Sequence, residues 1–328
     1  TAMNIPTDEH IMRKKIIELC TSDTVKARLL DMHRVLSETS PTTDTYQELK
    51  RKLEWAVSLP YNTIAHPTMT LANTAEEINA YCVDIRKRLD RELYGMDNVK
   101  EELISTLVNR ITNPTIPCSI ALQGPPGVGK TAICTALAKS VGLPFERIPL
   151  GGASDVTMLK GADSHWLGSE PSIILRVLKN MKIANGIVLF DEIDKLGETQ
   201  DGQLVQNALL HITDYTQNDE FRDSFITEFS HDISKLWFIY AFNNEINNHI
   251  LRDRINPVIE VAPYTRSDMK IIITDYLFPK WLKNTNIDQS LCSIDESGCN
   301  ELLNTIGYTE SGVRQIETAV RTLISRIN

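Results

Sequence analysis

The stretch Gly124-Pro-Pro-Gly-Val-Gly-Lys-Thr131 decides the fold, because it fits the phosphate-binding pattern G-x-x-x-x-G-K-[ST] at every fixed position. The apolar run 118–123 before it is typical of a buried strand. The alanine-rich run 131–141 after it predicts a helix that Gly142 ends. Since strand, glycine-rich loop and helix are the context that this motif requires, we predict a phosphate-binding loop at the start of a helix.

The residue types of this loop suit a nucleoside triphosphate with Mg²⁺. Glycines let backbone N–H groups converge on phosphate oxygens, and the N-terminus of the helix adds a partial positive charge. Lys130 is predicted to reach the β- and γ-phosphates, and the Thr131 hydroxyl to bind Mg²⁺. The predicted nucleotide-binding residues of the loop are Gly124, Pro125, Pro126, Gly127, Val128, Gly129, Lys130 and Thr131.

A second segment, Gly186-Ile-Val-Leu-Phe-Asp-Glu-Ile-Asp194, is an apolar strand that ends in acids. In open α/β sheets the carboxyl ends of the strands face the ligand crevice. Asp191 is therefore predicted to hold Mg²⁺, and Glu192 to polarise the water that attacks the γ-phosphate. The alternative is a strand that simply runs into an acidic turn. Together with the glycine-rich loop, the segment predicts a nucleotide hydrolase that needs Mg²⁺.

Composition excludes several classes of protein. The chain has 328 residues, 42% hydrophobic and 23% charged, which is typical of a soluble globular protein with two or three domains. A net charge of −9 argues against extended contact with a nucleic-acid backbone. No apolar run is long enough to span a bilayer, so no membrane partner is expected. The six cysteines contain no C-x-x-C pair, which favours reduced thiols in the cytoplasm, with the mitochondrial matrix as the alternative.

The pattern of apolar residues divides the chain into three parts. Residues 1–92 are predicted to be an N-terminal helical region and linker, in which Thr74 and Glu77 form a capping box. Residues 93–262 are predicted to be a large α/β nucleotide-binding domain, and residues 263–328 a small α-helical domain. The last predicted helix aligns Val313, Ile316, Val320, Leu323 and Ile327 on one face.

Short strands and helical patterns alternate through the middle part. This order predicts a parallel sheet flanked by helices. The predicted strands are 118–123, 145–150, 187–190, 236–242 and 258–261.

Further short segments follow one another in a recognisable order. They are Leu53-Glu-Trp-Ala-Val-Ser-Leu-Pro-Tyr-Asn62, Leu89-Asp-Arg-Glu-Leu-Tyr-Gly-Met96, Leu150-Gly-Gly-Ala153, Asn207-Ala-Leu-Leu210, Ala241-Phe-Asn-Asn244, Leu251-Arg-Asp-Arg254, Pro263-Tyr-Thr265, Tyr276-Leu-Phe-Pro-Lys280 and Tyr308-Thr-Glu-Ser-Gly-Val-Arg314. With the two motifs, they resemble the AAA+ ATPase segment of the Lon protease family across nearly the whole chain. The resemblance implies an AAA+ P-loop fold with a small helical lid domain. It also implies an ATP-driven protein unfoldase and translocase that hydrolyses ATP to ADP and assembles into a ring, predicted to be hexameric.

The resemblance also implies roles for residues outside the two motifs. Tyr94, Gly95 and Tyr276 would lie on the adenine side of the nucleotide. Asn243 would be the sensor that orients the attacking water, although Asn243-Asn244 alone reads as a turn that ends a strand.

Two arginines are given catalytic roles by the same resemblance. Arg254 would be an arginine finger supplied to a neighbouring subunit. The alternative is that Arg254 belongs to a solvated surface cluster. Arg314 would be a second sensor on the nucleotide of its own subunit. The alternative there is an exposed salt-bridge ladder with Glu317 and Arg321.

One segment departs from the family. Between Gly161 and Gly168 the family has basic residues and then a tyrosine–aliphatic pair, on a loop that lines a central pore. This chain has Ala162-Asp-Ser-His-Trp-Leu167 instead. Trp166 and Leu167 are predicted to grip unfolded or damaged polypeptide, and the alternative is that Trp166 packs inside its own subunit.

The sequence contains no residues that match the serine–lysine dyad of the family's peptidase domain. We therefore expect this chain to be a piece of an ATP-dependent serine protease whose peptidase domain lies outside it. The alternatives are a stand-alone remodelling ATPase without proteolysis, a loader ATPase that works on DNA, and a non-enzymatic assembly module gated by nucleotide.

Overall fold

The structure is a computed structural model that describes residues 8–65, 69–70, 72–113, 118–166, 168–196, 200–246, 248–288, 290–307 and 312–327. The chain packs into two compact units. The first unit draws on Thr1–Pro67, Glu146–Val188 and Lys195–Phe238, and the second on Thr68–Phe145, Leu189–Asp194 and Ile239–Asn328. The three-part division at residues 92 and 262 stays a prediction.

The predicted parallel sheet is confirmed. Its five strands are β1 (Cys118–Gln123), β2 (Phe145–Pro149), β3 (Ile187–Asp191), β4 (Trp237–Phe242) and β5 (Val258–Glu260), and they lie in the order β2-β3-β4-β1-β5. Strands β1 and β5 pair in parallel, with Ala121 opposite Val258. Every residue of β3 and β4 is buried, which is why both strands are continuous apolar runs in the sequence.

The sheet is flanked by helices. The described α-helices are α1 (Asp8–Glu18), α2 (Asp23–Glu38), α3 (Asp44–Val57), α4 (Ala75–Glu92), α5 (Asp97–Thr112), α6 (Lys130–Val141), α7 (Thr157–Lys160), α8 (Ile173–Met181), α9 (Gln200–Thr213), α10 (His249–Arg254), α11 (Arg266–Ile271), α12 (Phe278–Asn284), α13 (Glu296–Ile306) and α14 (Val313–Ile327). No described helix combines the length and the apolar character needed to cross a membrane.

In the first unit the N-terminal helices pack in succession, α1 on α2 and α2 on α3. Helices α2 and α3 begin at capping side chains, since Ser22 and Thr43 each accept a backbone N–H from three residues on. Leu29 and Leu53 are fully buried on these helices. Helix α7 packs against α8 and α9 in the same unit.

In the second unit α4 starts at the predicted capping box, in which Thr74 and Glu77 bond each other's backbone N–H groups. Helix α5 buries one face, which includes Leu103 and Leu107 at a spacing of four residues. Helix α6 runs from Lys130 to Val141, and Gly142 caps it at the position where the sequence predicts the helix to end.

The C-terminal part of the second unit is helical, and its described residues contain no strand after β5. Helices α11 and α12 are joined by a π-helical segment, Ile272–Leu277. One predicted position is wrong, because Leu323 is 38% exposed whereas Ile324 is fully buried. At about 100° per residue the buried stripe is centred on Val320, so Leu323 lies about 60° from its centre and Ile324 about 40°. The side chain of Ile327 lies outside the described residues.

Candidate active site

The glycine-rich loop connects β1 to α6 in the second unit. A side chain at Gly124 would overlap the carbonyl oxygen of Val261, which follows β5. Gly129 has a φ of 102°, in the left-handed region that favours glycine, and it precedes the first residue of α6. The loop therefore needs glycine both for its turn and for its close approach to β5, and it leaves the free N–H groups of α6 at the site.

Lys130 lies at the centre of the site. Its Nζ donates to the carbonyl oxygens of Gly124 at 2.6 Å and Pro125 at 3.0 Å, and to Oδ1 of Asn243 at 2.8 Å. Lys130 is only 9% exposed. The structure thus brings the lysine of the first motif onto the residue that the family resemblance makes a sensor. Because all three partners are neutral oxygens, this ammonium can exchange them for phosphate oxygens, which bind it more strongly.

The acids of the second motif follow β3. Asp191 is buried at the end of the strand, and the N–H of Glu192 donates to Asp191 Oδ1 at 2.9 Å. Glu192 has a φ of 62°, which is uncommon for a residue other than glycine. Burial lowers the pKa of Lys130, and the carboxylates of Asp191 and Asp194 partly offset that effect.

Asp194 is a site residue that the sequence analysis missed. Its Oδ2 accepts the backbone N–H groups of Asn243 at 3.2 Å and Asn244 at 3.1 Å, so it ties the acidic turn after β3 to the turn after β4. Its Oδ1 is buried and has no hydrogen-bond partner among the described residues. The signal was available, because Asp194 is the fourth residue of Asp191-Glu-Ile-Asp194.

A cavity of about 780 Å³ lies beside the loop in the second unit. Val128 and Thr131 line it from the glycine-rich segment, and three tyrosines line it from elsewhere: Tyr94, Tyr264 and Tyr276. The Tyr264 hydroxyl donates to the Tyr94 carbonyl at 2.8 Å. Burial raises the pKa of Tyr264, so this hydroxyl stays protonated. The aromatic and apolar lining suits a planar base.

Gly95 is at the turn between α4 and α5, with a φ of 57°. It is not among the described residues that line the cavity, whereas its neighbours Tyr94 and Met96 are.

Arg314 lies close to the loop through its backbone. The N–H of Val313, the first residue of α14, donates to the Gly127 carbonyl at 3.1 Å. Arg314 is the next residue and is exposed. Glu317, one turn further on, accepts from Lys280 at 2.7 Å.

Arg254 and Trp166 are not among the described residues that line the cavity. Arg254 is the last residue of α10 and is exposed. Trp166 belongs to the first unit and is 74% exposed, so it is not packed into the interior. Leu167 lies outside the described residues.

The residues present fit a nucleoside triphosphate with Mg²⁺. No group of three or more His, Cys, Asp or Glu side chains that could hold a metal occurs in the described part of the chain. Mg²⁺ at P-loops needs no such cage, since it takes one hydroxyl, one carboxylate and phosphate oxygens. Thr131 and Asp191 would supply the first two, and the unpartnered Oδ1 of Asp194 would be a further acceptor.

Comparison with known families agrees with this geometry. Residues 120–263 match the family model "ATPase family associated with various cellular activities (AAA)". Three relatives cover most of the chain. They are "Lon protease" of Malacoplasma penetrans (32% identical over 90% of this chain and 36% of the relative), "Lon protease 4" of Sorangium cellulosum (33%, 88% and 35%) and "Lon protease homolog, mitochondrial" of Drosophila melanogaster (27%, 97% and 29%). The chain spans about a third of the length of the curated relatives it matches.

Proposed function

We propose that this chain binds ATP with Mg²⁺ at the glycine-rich loop and hydrolyses it to drive the movement of polypeptide. Residues 120–263 match the AAA ATPase family model, and the chain is similar to about a third of the length of a Lon protease. The observation that carries the proposal is the contact of Lys130 Nζ with Asn243 Oδ1 at 2.8 Å, next to the acids that end β3. These residues come from three separate segments of the chain. Their proximity supports the proposal, because phosphoryl transfer needs a cation, an amide and carboxylates close together.

Each side chain has a definite task in this proposal. Lys130 holds the β- and γ-phosphates, and Thr131 and Asp191 hold Mg²⁺, which neutralises charge on the phosphates. Glu192 accepts the proton of the attacking water, which Asn243 orients. Tyr94 and Tyr276 bind the base, with Gly95 providing the turn between α4 and α5.

The two arginines complete the proposal. Arg314 contacts the γ-phosphate of its own subunit from the start of α14, and the backbone bond between Val313 and Gly127 supports that placement. Arg254 is exposed on α10 and serves the site of a neighbouring subunit. Because the finger comes from a neighbour, the active form is a ring, and we propose six subunits.

The wider role follows from the relatives named above. We propose that the chain is the ATPase module of a Lon-like protease that acts in the cytoplasm or the mitochondrial matrix. Trp166 and Leu167 grip unfolded or damaged protein and move it through the ring pore toward a peptidase domain. The exposure of Trp166 supports this role, because an exposed tryptophan can contact an extended chain through its apolar face.

Glu192→Gln tests the proposal directly. We expect this variant to bind a fluorescent ATP analogue like the wild type, while its rate of phosphate release falls by about a hundredfold or more. Glu301→Gln, an exposed glutamate on α13, is the matched control and keeps both properties. Unchanged phosphate release in Glu192→Gln would refute the assignment.

Lys130→Met tests whether the lysine of the glycine-rich loop binds the nucleotide. We expect the affinity for the ATP analogue to fall sharply, because the phosphates lose their only lysine contact from the loop. Lys87→Met, an exposed lysine on α4, is the matched control.

Phosphate release by the wild type that rises with added DNA, and not with unfolded protein, would favour the DNA-loader alternative instead.

A further inference from the structure

In the first unit, Trp166 lies on a loop whose two ends both lie against the buried carboxylate of Asp223. We call residues 162–166 and 168–171 the Trp166 loop. Asp223 is 1% exposed, and its Oδ2 accepts the N–H of Ser172 at 2.8 Å. At the other end, a Cβ built on Gly161 would come within 2.6 Å of Asp223 Oδ1. The N–H of Ser224 donates to the Lys160 carbonyl at 2.7 Å. The ends of the loop are therefore fixed against the segment that begins at Asp223.

The two arms of the Trp166 loop, residues 162–165 before Trp166 and residues 168–171 after it, contact helix α3. On the first arm, the Ser164 hydroxyl donates to Glu48 Oε1 at 2.6 Å, and His165 Nδ1 lies 3.3 Å from Glu48 Oε2. On the second arm, the Arg51 guanidinium donates to the carbonyl of Ser169. Glu48 and Arg51 are three residues apart and therefore lie on the same face of α3. One helix face thus holds the residues on both sides of Trp166.

Glu48 is itself held in place. Lys52 is buried, and its Nζ lies 3.4 Å from Glu48 Oε1 and 3.0 Å from Glu228 Oε1. The hydrogen bond from Ser164 and the nearby Lys52 lower the pKa of Glu48, so it is a carboxylate at neutral pH. The Arg51 guanidinium lies 5.2 Å from the centre of the Phe225 ring. Both contacts to the loop therefore come from side chains with a second partner, which limits their motion.

We propose that Glu48 and Arg51 are positioning residues that hold the Trp166 loop. Through them, helix α3 of the N-terminal region keeps Trp166 in a position to contact an extended polypeptide. The proposal rests on the proposed function, because it takes the polypeptide as the ligand of Trp166. The segment between Gly161 and Gly168 lacks the basic residues that the family has there, and Ser164 is bonded to an acidic residue of the helix. Glu48 and Arg51 contact the loop and not the polypeptide.

The first test follows Trp166 itself. The whole chain is labelled with 5-fluorotryptophan, and its four tryptophans give four ¹⁹F resonances, of which Trp166 is assigned by its loss in Trp166→Phe. In Glu48→Ala and Arg51→Ala we expect the Trp166 resonance to narrow and to move toward that of the free amino acid, while those of Trp237 and Trp281 stay in place. Trp55 is not used as a reference, because it lies four residues after Arg51 on α3. Glu54→Ala and Lys50→Ala are matched controls, since both residues are exposed on α3.

The second test follows the polypeptide. Fluorescein-labelled unfolded casein is titrated against each variant by anisotropy, and basal phosphate release is measured without casein. We expect Glu48→Ala to weaken casein binding about tenfold, because only a fraction of the loops then holds Trp166 in the competent position. Basal phosphate release stays within about twofold of the wild type, since Glu48 is not part of the nucleotide site. Ser164→Ala, which removes the same bond from the loop side, gives no additional loss when combined with Glu48→Ala.

The possible results separate the inference from the proposed function. If the Trp166 resonance of Glu48→Ala and of Arg51→Ala equals that of the two controls, the holding role of α3 is refuted, even if Trp166→Ala loses casein binding. If Trp166→Ala binds casein like the wild type, the polypeptide role of Trp166 is refuted, and the inference fails with it. Increased mobility of Trp166 together with weaker casein binding in Glu48→Ala, with both control variants unchanged, supports the inference.

Discussion

Replacing Asp194 by alanine removes the acceptor that holds the turn after β4 against the end of β3. Oδ2 of Asp194 accepts from the backbone of Asn243 at 3.2 Å and of Asn244 at 3.1 Å, and from the Asn244 side chain at 3.4 Å. Asn243 also contacts Lys130. In the variant the backbone of Asn243 is no longer held by Asp194, so the side-chain amide of Asn243 no longer has a fixed position relative to the attacking water.

The expected magnitudes follow from these contacts. A hydrogen bond to a charged group contributes about 1.5–3 kcal/mol. Asn244 is exposed and Asn243 is half-buried, so water replaces part of each bond, and we expect the free energy of unfolding to fall by about 2 kcal/mol in total. A catalytic group displaced by about 1 Å costs about a hundredfold in rate. We therefore expect kcat to fall between about tenfold and a hundredfold, and the affinity for ATP to change little because the glycine-rich loop is intact.

The assay is phosphate release at saturating ATP, with a titration of a fluorescent ATP analogue and urea denaturation on the same samples. Asp194→Asn keeps an acceptor oxygen without the charge, so its kcat should lie between those of Asp194→Ala and the wild type. Asp201→Ala, an exposed aspartate on α9, is the control for the loss of a carboxylate. If folded Asp194→Ala retains kcat within about twofold of the wild type, the reasoning is wrong.

Three further predictions concern the subunit contact, pH and the loop. Arg254→Ala and Lys130→Ala chains should each be inactive in phosphate release and should recover activity when mixed, because each supplies what the other lacks; absence of recovery would contradict action between subunits. Burial lowers the pKa of His231 from 6.5 to about 4, so only the unfolded chain binds this proton between those values. The free energy of unfolding should therefore fall by about 3 kcal/mol as the pH falls through that window. Urea titrations at several pH values should show that this pH dependence of the free energy of unfolding is lost in His231→Phe and kept in His211→Gln. The same pH dependence in His231→Phe as in the wild type would refute the prediction. Gly124→Ala should lower the free energy of unfolding by about 1–3 kcal/mol and abolish binding of the ATP analogue, since its Cβ overlaps the carbonyl that faces it; normal melting and normal binding would contradict this.

The sequence was sufficient for those parts of the fold that depend on neighbouring residues. The loop, its flanking strand and helix, and the capping box at Thr74 all involve residues within a few positions of each other. Strands β3 and β4 are continuous apolar runs and were recognised for that reason. Leu323 was misplaced because helical spacing alone allows a stripe wider than the one that is buried.

Contacts between distant positions were not predictable in the same way. Asp194 bonds a turn about fifty residues away, and Asp223 bonds Ser172 at a similar separation. Glu48 reaches Ser164 across 116 positions. A single acidic residue on an exposed helix or loop carries no mark of its distant partner, and only the folded chain brings the two together. The motif residues were found because their spacing is itself local.

The bond from the Val313 N–H to the Gly127 carbonyl joins main chain to main chain. No exchange of one ordinary side chain for another removes either atom, so the link between the glycine-rich turn and the last helix is insensitive to most mutational drift. Proline at position 313 is the exception, because it alone lacks the hydrogen. A mechanical connection of this kind can persist while the residues around it change.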